Sequence, residues 1–409
     1  MAEEAISKKK RIAFCSELGS GSGHLTALLA AADVFVEQGS ECAFIVPDLN
    51  AVLRLRPDWS LRSNIQAWNS PQWQVKNPEQ ADSTRTYTFA DVLISFGFGD
   101  ALSVFNNISR WHALLDAFRP DVLVTEFAPS PAIAARGRIP CVTFGNGFYV
   151  LPNVAKLPSM TSWDPEVPEE SRRNEGLILA EISEARRRLD LSSWDSLSEA
   201  FRGDATLPCT FATLDPYHRI RSELTHLPFN IPFPRRSKPS ERSVRGFVYY
   251  SFPHPVFERV LSLALAQSKI PCWIYAPCYA SQLRPYVGLN GHEILSEPMD
   301  LHRLSEFSFC MHHGGMGISS AGAIANVPQF ITPVNLEHAL TASSLCKQAA
   351  AIMALPETIM AWQSSSSWGQ AVAACLALPM NLHPEFNCNS SDAKVTLSRL
   401  TQQVLNFLH

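Results

Sequence analysis

The stretch that decides the fold is His312-His313-Gly314-Gly315-Met316-Gly317-Ile318-Ser319-Ser320, preceded by the apolar run Phe307-Ser-Phe-Cys-Met311. The apolar run predicts a short buried strand over 307–311. Two adjacent glycines follow, and a helix is expected from about Met316. Glycines let a backbone approach a ligand closely. A helix N-terminus offers unpaired N–H groups and the positive end of its dipole. Together they suit a phosphate or diphosphate, with the His313 imidazole as a further hydrogen-bond partner. The competing reading is a plain structural turn, because glycine often punctuates strand ends.

Working outward, the same strand–glycine–helix order occurs near the N-terminus. Residues 11–15 read as an apolar strand, Gly19-Ser-Gly-Ser-Gly23-His24 as a turn, and 25–38 as a helix. Leu25, Leu28, Leu29, Ala32 and Val36 fall on one face of that helix, and Gly39 ends it where a C-cap needs positive φ. A strand over 42–46 completes a β-α-β unit. The pattern continues with helices over 111–118 and 132–138 and strands over 121–125 and 141–144. A polar helix over 169–189 follows, with Arg186, Arg187 and Arg188 on its wet face, and then a last strand over 210–213. Downstream, strands are expected over 247–251, 272–275, 292–295 and 329–332, with helices over 255–267 and from Glu337. Residues 364–367 read as a low-complexity loop and 392–408 as a C-terminal helix.

Between the two series, Pro228, Pro232, Pro234 and Pro239 sit among Arg235, Arg236, Lys238 and Arg242. This composition marks a linker over 228–245. It separates a first domain, 1–230, from a second, 246–409, which includes the C-terminal helix. The expected class is α/β: two Rossmann-like domains facing a cleft, which is the natural ligand site. The length agrees, since 409 residues at about 150 per domain suggest two to three.

Composition narrows the function. Thirty-four Lys and Arg against 38 Asp and Glu leave a net charge of -4, so no extended nucleic-acid surface is expected. The ten cysteines are scattered with no Cys-x-x-Cys and no zinc spacing, and read as buried free thiols. Lys8-Lys9-Lys10-Arg11 reads as a solvated lead-in to the first strand. The apolar segment after it is shorter than the ~7–15 residues of a signal peptide core. No apolar stretch reaches the ~20 residues of a transmembrane segment. A cytoplasmic protein is expected, with peripheral membrane contact left open.

Three further features carry chemistry. His24 opens a helix at the expected cleft, where a general base sits; a structural histidine is the alternative. The glycines before it lack the Lys and Ser/Thr of a P-loop and the spacing of the dinucleotide fingerprint. Glu126 follows the 121–125 strand, and a carboxylate there faces the ligand crevice of an open parallel sheet. It could orient His24, as the acid of a catalytic triad does, or be a solvated loop residue. Glu337 and His338 begin a helix after Pro333, where Glu is also an ordinary cap-region residue.

Taken together these motifs resemble the GT-B glycosyltransferases that use nucleotide-sugars, family 1-like. That group includes the UDP-glucuronosyl/glucosyltransferases and the bacterial macrolide and MurG-type enzymes. The resemblance rests on His313-Gly314-Gly315-Met316-Gly317, on Asn326-Val327-Pro328, on Pro333 to Glu337-His338, and on Gly21-Ser22-Gly23-His24. The 121–140 block, with its strand, acid and Ile139-Pro140, agrees. The resemblance implies an inverting hexosyl transfer from a nucleoside-diphosphate sugar to an acceptor hydroxyl, with His24 as general base and Glu126 as its partner. The nucleotide-sugar is a co-substrate, and no other cofactor is implied. His313, with Gly314, Gly315, Gly317 and Ser319, would bind the diphosphate, and Ser251 would add a contact. Glu337 and His338 would hold the sugar, and Pro298 and Met299 the nucleobase. The first domain would form the acceptor pocket, for a small molecule or glycan, with Phe96, Phe98 and Phe148 among its aromatics; core packing is the alternative for these rings. No Asp-x-Asp occurs, so no metal is expected. Ala321 stands where the family often has a ribose-binding Glu, Asn326 where Gly is usual, and His338 where Gln is usual. These departures leave UDP and dTDP as alternatives. A nucleotide-sugar 2-epimerase of the same fold and a non-catalytic nucleotide-sugar-binding protein are the rival readings.

Overall fold

The computed structural model describes residues 9–19, 22–73, 86–267, 270–286, 288, 291–360 and 365–408. The chain forms two compact units, Met1–Asn230 with Ser391–His409, and Ile231–Ser390. Ser20, Gly21, Lys8 and Ser364, which the sequence reading singles out, lie outside the described residues.

The first unit holds β1 (Arg11–Ser16), β2 (Glu41–Val46), β3 (Ile65–Asn69), β4 (Val122–Glu126), β5 (Cys141–Gly145) and β6 (Ala205–Pro208). They pair all in parallel in the order β3-β2-β1-β4-β5-β6. The second unit holds β7 (Ser243–Tyr249), β8 (Cys272–Tyr275), β9 (Glu293–Ile294), β10 (Phe307–His312), β11 (Gln329–Ile331) and β12 (Ala351–Met353), ordered β12-β11-β10-β7-β8-β9 and again parallel. Each is a doubly wound Rossmann-like sheet. The strand order reverses between β1 and β4 in one unit and between β7 and β10 in the other. At such switch points the loops leaving the two strands part and open a crevice.

The central strands are apolar along their length because helices cover both faces of a parallel sheet. β4 and β5 are buried at every residue. In the second unit the pleat divides the core. Val248, Phe309, Met311 and Phe330 pack on one face, and Phe247, Cys310, Ile318 and Ala321 on the other. Phe307 joins Cys310 because the register shifts between Phe307 and Phe309.

Several expectations are corrected. The helix Ser390–Leu408, assigned by sequence to the second domain, belongs to the first unit. Its stripe Leu400, Val404 and Leu408 completes the core around Ile12, Phe14, Leu28 and Phe44. The Pro/Arg-rich segment does not stand apart as a spacer. From Ile231 it docks on the second unit, where Ser237 N donates to Ala325 O at 3.1 Å and Arg242 Nη2 to Asn326 O at 2.6 Å. Arg186 is turned inward and is 1% exposed. It continues the buried stripe Ile178 and Ile182 at four-residue spacing, donates to the carbonyls of Ile133, Arg136 and Ser192, and lies 4.0 Å from the Trp194 ring. The last strand of the first sheet is β6, not 210–213; a 3₁₀ turn covers Ala212–Leu214. The expected 364–367 loop is helical from Ser365. Among the described residues, no single helix is long and apolar enough to cross a membrane. All ten cysteines are free, and seven are buried.

Replacing Leu400 by Ala should destabilise the first unit by about 2–5 kcal/mol, the usual cost of emptying a core leucine site. Urea unfolding checks this, and an unchanged midpoint would show that the terminal helix is not part of that core.

Candidate functional site

Both switch points carry the residues that the sequence reading selects. In the first unit Ser16 is paired with Glu126 across β1 and β4. The chain leaves β1 through Glu17 and Leu18, and Leu18 N donates to Phe127 O at 3.0 Å, which holds the two strand ends together. The helix Ser22–Glu37 then begins and carries His24 in its first turn. Gly19 is required here: a Cβ at that position would lie 2.4 Å from the His24 ring.

His24 and Glu126 meet. Nδ1 of His24 lies 2.9 Å from Oε1 and 3.2 Å from Oε2 of Glu126. The Glu126 side chain is 2% exposed and the His24 side chain 17% exposed. The Tyr149 hydroxyl donates to the same Oε1. Tyr149 also stacks on Phe127 at 4.3 Å, and both rings flank the His24 imidazole at 5.5 and 5.4 Å. Gly145 makes room for Tyr149, since a Cβ there would sit 2.2 Å from that ring. A buried carboxylate accepting from Tyr149 favours the Nδ1–H tautomer of His24. That leaves Nε2 as the basic nitrogen. The arrangement is an imidazole held by an enclosed acid, with its second nitrogen turned away from that acid.

His24 lines a cavity of about 480 Å³ within the first unit, with Leu25, Val46, Trp73 and Phe96 among its walls. Of the three expected acceptor aromatics, only Phe96 lines it. Phe98 is fully buried, stacked at 4.1 Å on Trp73, and Phe148 packs edge-on against Phe89 at 5.8 Å. The two are held as core by their neighbours.

In the second unit, His312 pairs with Tyr249 across β10 and β7, and the His-Gly-Gly turn follows. Gly314 takes φ 103°, which a side chain would strain. Its N–H donates to His312 Nδ1 at 3.0 Å. His312 Nε2 therefore carries the proton and donates to Gln329 Oε1 at 2.8 Å, and Gln329 Nε2 donates to Ser319 O at 3.0 Å. This relay shapes the turn, and it consumes the Gly314 N–H that the sequence reading assigns to a diphosphate. The helix Met316–Ala325 starts at an N-cap glycine, Gly315, with no side-chain cap. Its first-turn N–H groups lack intrahelical partners. Space over Gly317 is open, with nothing within 4 Å of a Cβ there. Ser319, by contrast, is fully enclosed and its hydroxyl has no partner.

His313 and His338 come together, with ring centroids 4.7 Å apart, and Phe252 lies 4.9 Å from His313. Phe252, absent from the sequence expectations, touches the histidine, whereas its neighbour Ser251 is exposed. Nδ1 of both histidines is buried without a partner. Gly315 is fitted to the His313 ring: a Cβ on it would lie 2.7 Å from Nε2. Asn335 caps the helix Leu336–Lys347, accepting from His338 N at 2.9 Å, and half-buried Glu337 occupies its first turn. Pro298 is exposed in the segment after β9, and Met299 packs against the Phe247 cluster.

No protein-family profile and no curated protein sequence matches this chain. Solved structures do. CalG4, the calicheamicin glycosyltransferase, matches with a TM-score of 0.62 at 15% identity over 98% of each chain. Glycosyltransferase VinC, solved in complex with dTDP, matches with a TM-score of 0.61 at 13% identity over 97% of this chain and 98% of that one. MurG of Acinetobacter baumannii gives 0.55 at 13% identity over 97% and 99%. This chain has the GT-B fold. The match covers both sheets, as the glycine motifs and the doubled β-α-β series imply.

Burial keeps the histidines of the second site neutral. It pushes the pKa of His312 down to about 3 and of His313 down to about 4, with the neighbouring His313 adding to the effect on His312. Burial first, then His313 and His312, hold His338 well below the ordinary value. The unfolded chain binds protons at these residues below about 6.5, and the folded chain does not. Their stabilisation is therefore complete well above pH 6.5 and is lost as pH falls through that value, on the order of 2 kcal/mol each for His312 and His313 between pH 7 and 5, with His338 acting in the same direction. Urea unfolding at pH 7 and pH 5 should show this loss, and His338→Gln should reduce it. Equal pH dependence in the two proteins would contradict the assignment.

Proposed function

We propose that this GT-B chain transfers a sugar from a nucleoside-diphosphate donor to an acceptor hydroxyl, with inversion and without a metal. The observation that carries the reading is the 2.9 Å contact between His24 Nδ1 and buried Glu126, with His24 lining a cavity large enough for a ring system. Glu126 orients His24, whose Nε2 takes the acceptor proton as the oxygen attacks the anomeric carbon. The carbon–oxygen bond to the diphosphate breaks, and the nucleoside diphosphate leaves with the electron pair. The first unit, in this reading, carries base and acceptor.

The second unit carries the donor. Its helix Met316–Ala325 meets the diphosphate with first-turn N–H groups and its dipole, beside His313. Such fixed donors stabilise the charge that develops on the leaving group. Glu337, in the first turn of the helix Leu336–Lys347, meets the sugar hydroxyls. Ala321 is buried and brings no carboxylate to a ribose, which favours a deoxyribose donor. VinC, a structure of this fold, was solved with dTDP. The protein works in the cytoplasm on this reading.

His24→Ala should lower transfer at least about a hundredfold, the lower range for loss of a general base, while dTDP still binds. His313→Ala should weaken dTDP binding with the fold intact, read by calorimetry and circular dichroism. Chelator should leave turnover unchanged. Product analysis by mass spectrometry decides the class. A glycoside supports transfer, a free epimerised nucleotide-sugar supports an epimerase, and retained transfer in His24→Ala rejects the base.

A further inference from the structure

One buried carboxyl on the wall of the His24 cavity has no part in the chemistry above. Glu17 is the residue immediately after β1, is 7% exposed and lines that cavity. Both of its oxygens are engaged. Oε1 accepts from Trp73 Nε1 at 2.7 Å and from Trp111 Nε1 at 3.2 Å, and Oε2 accepts from Ser130 N at 2.9 Å.

The three donors differ in kind. Trp111 is fully buried in the helix Ala101–Phe118, and Ser130 N belongs to the backbone just after β4. Both are scaffold. Trp73 is half-buried; its ring stacks on Phe98 and lines the cavity with Phe96 and His24. A single carboxyl thus ties the indole of the cavity wall to two fixed points of the sheet's switch region. Burial opposes this placement, pushing the Glu17 carboxyl up to about 7 against the hydrogen bonds that favour its charged form. A buried acid is a poor way to gain stability, because removal from water offsets most of what its contacts return. Its effect is geometric: a charge-assisted bond fixes the plane of an indole that would otherwise swing about two side-chain torsions.

We propose that Glu17 is a positioning residue that holds Trp73 as the flat wall of the acceptor cavity, so that the cavity selects acceptors with a planar apolar ring beside the reacting hydroxyl. This rests on the transferase reading for the word acceptor, and on the cavity geometry alone for the wall.

The test uses the full chain and 4-methylumbelliferone, a flat phenol, as probe, with Glu17→Gln, Trp73→Phe and the double variant. Trp73→Phe keeps the Glu17–Trp111–Ser130 anchor, so it reports on the wall even where Glu17→Gln folds poorly. Each single variant is expected to weaken phenol binding by about tenfold, roughly one hydrogen bond's worth. The double variant should be no weaker than the more damaged single one, because both act on one contact, Glu17→Gln by removing the charge of its acceptor and Trp73→Phe by removing its donor. In turnover the phenol KM should rise while the dTDP-sugar KM stays fixed. A purely structural role would lower kcat through the folded fraction and leave the phenol Kd unmoved. The proposal is overturned by wild-type affinity in Glu17→Gln, by additive effects in the double variant, or by a wild-type chain that does not bind the phenol. Phenol binding needs no donor. Coupled loss of binding without any sugar transfer would reject the transferase reading and keep the wall; transfer by Glu17→Gln at unchanged phenol KM would do the reverse.

Discussion

The hydrogen bond between His24 Nδ1 and Glu126 is the interaction on which the rest of the first unit's site depends. It joins the helix that follows β1 to the end of β4, the two strands between which the sheet order reverses. Burial alone would make an unpaired Glu126 costly. Tyr149 and His24 satisfy it, and Gly19 and Gly145 exist in the form they do because those rings need the space. A carboxylate so enclosed can act only through its neighbours, and the neighbour that reaches the cavity is His24.

The second unit repeats the topology and inverts the electrostatics. Its reversal between β7 and β10 again launches a glycine turn into a helix. Here, among the described residues, no acid is paired with the three histidines around the glycine turn. His312, His313 and His338 are buried and held neutral, and one of them, His312, orders the turn by accepting the Gly314 N–H. A site built from N–H groups, a dipole and neutral imidazoles suits an anion without a strongly basic surface. The net charge of -4 is consistent with that economy of charge.

Much of this was legible in the sequence because a parallel sheet writes itself plainly. Its strands are continuous apolar runs, and its ligand loops are glycine-rich turns before helices. Both β-α-β series, the glycine turns and the His24–Glu126 pair were read that way. What escaped was set by tertiary context. β3 and β12 are short and only partly buried, so their patterns are weak. Arg186 looked like one more surface charge until its four-residue spacing from Ile178 and Ile182 met a wall of open carbonyls. The terminal helix looked like the end of the second half, because nothing in a local pattern says which core a helix will cross back to complete. Phe98 and Phe148 could not be told from Phe96 by type alone. Glu17 and Tyr149 matter through partners dozens of residues away, and no short-range signal marks them.

The measurement that tests the central claim most directly is nitrogen-15 NMR of the His24 imidazole in the full chain, assigned by comparison with His24→Ala. The account predicts that neutral His24 carries its proton on Nδ1, bonded to Glu126, with Nε2 unprotonated, and that Glu126→Gln disturbs that tautomer. A His24 protonated on Nε2 when neutral, or one indifferent to Glu126→Gln, would contradict it.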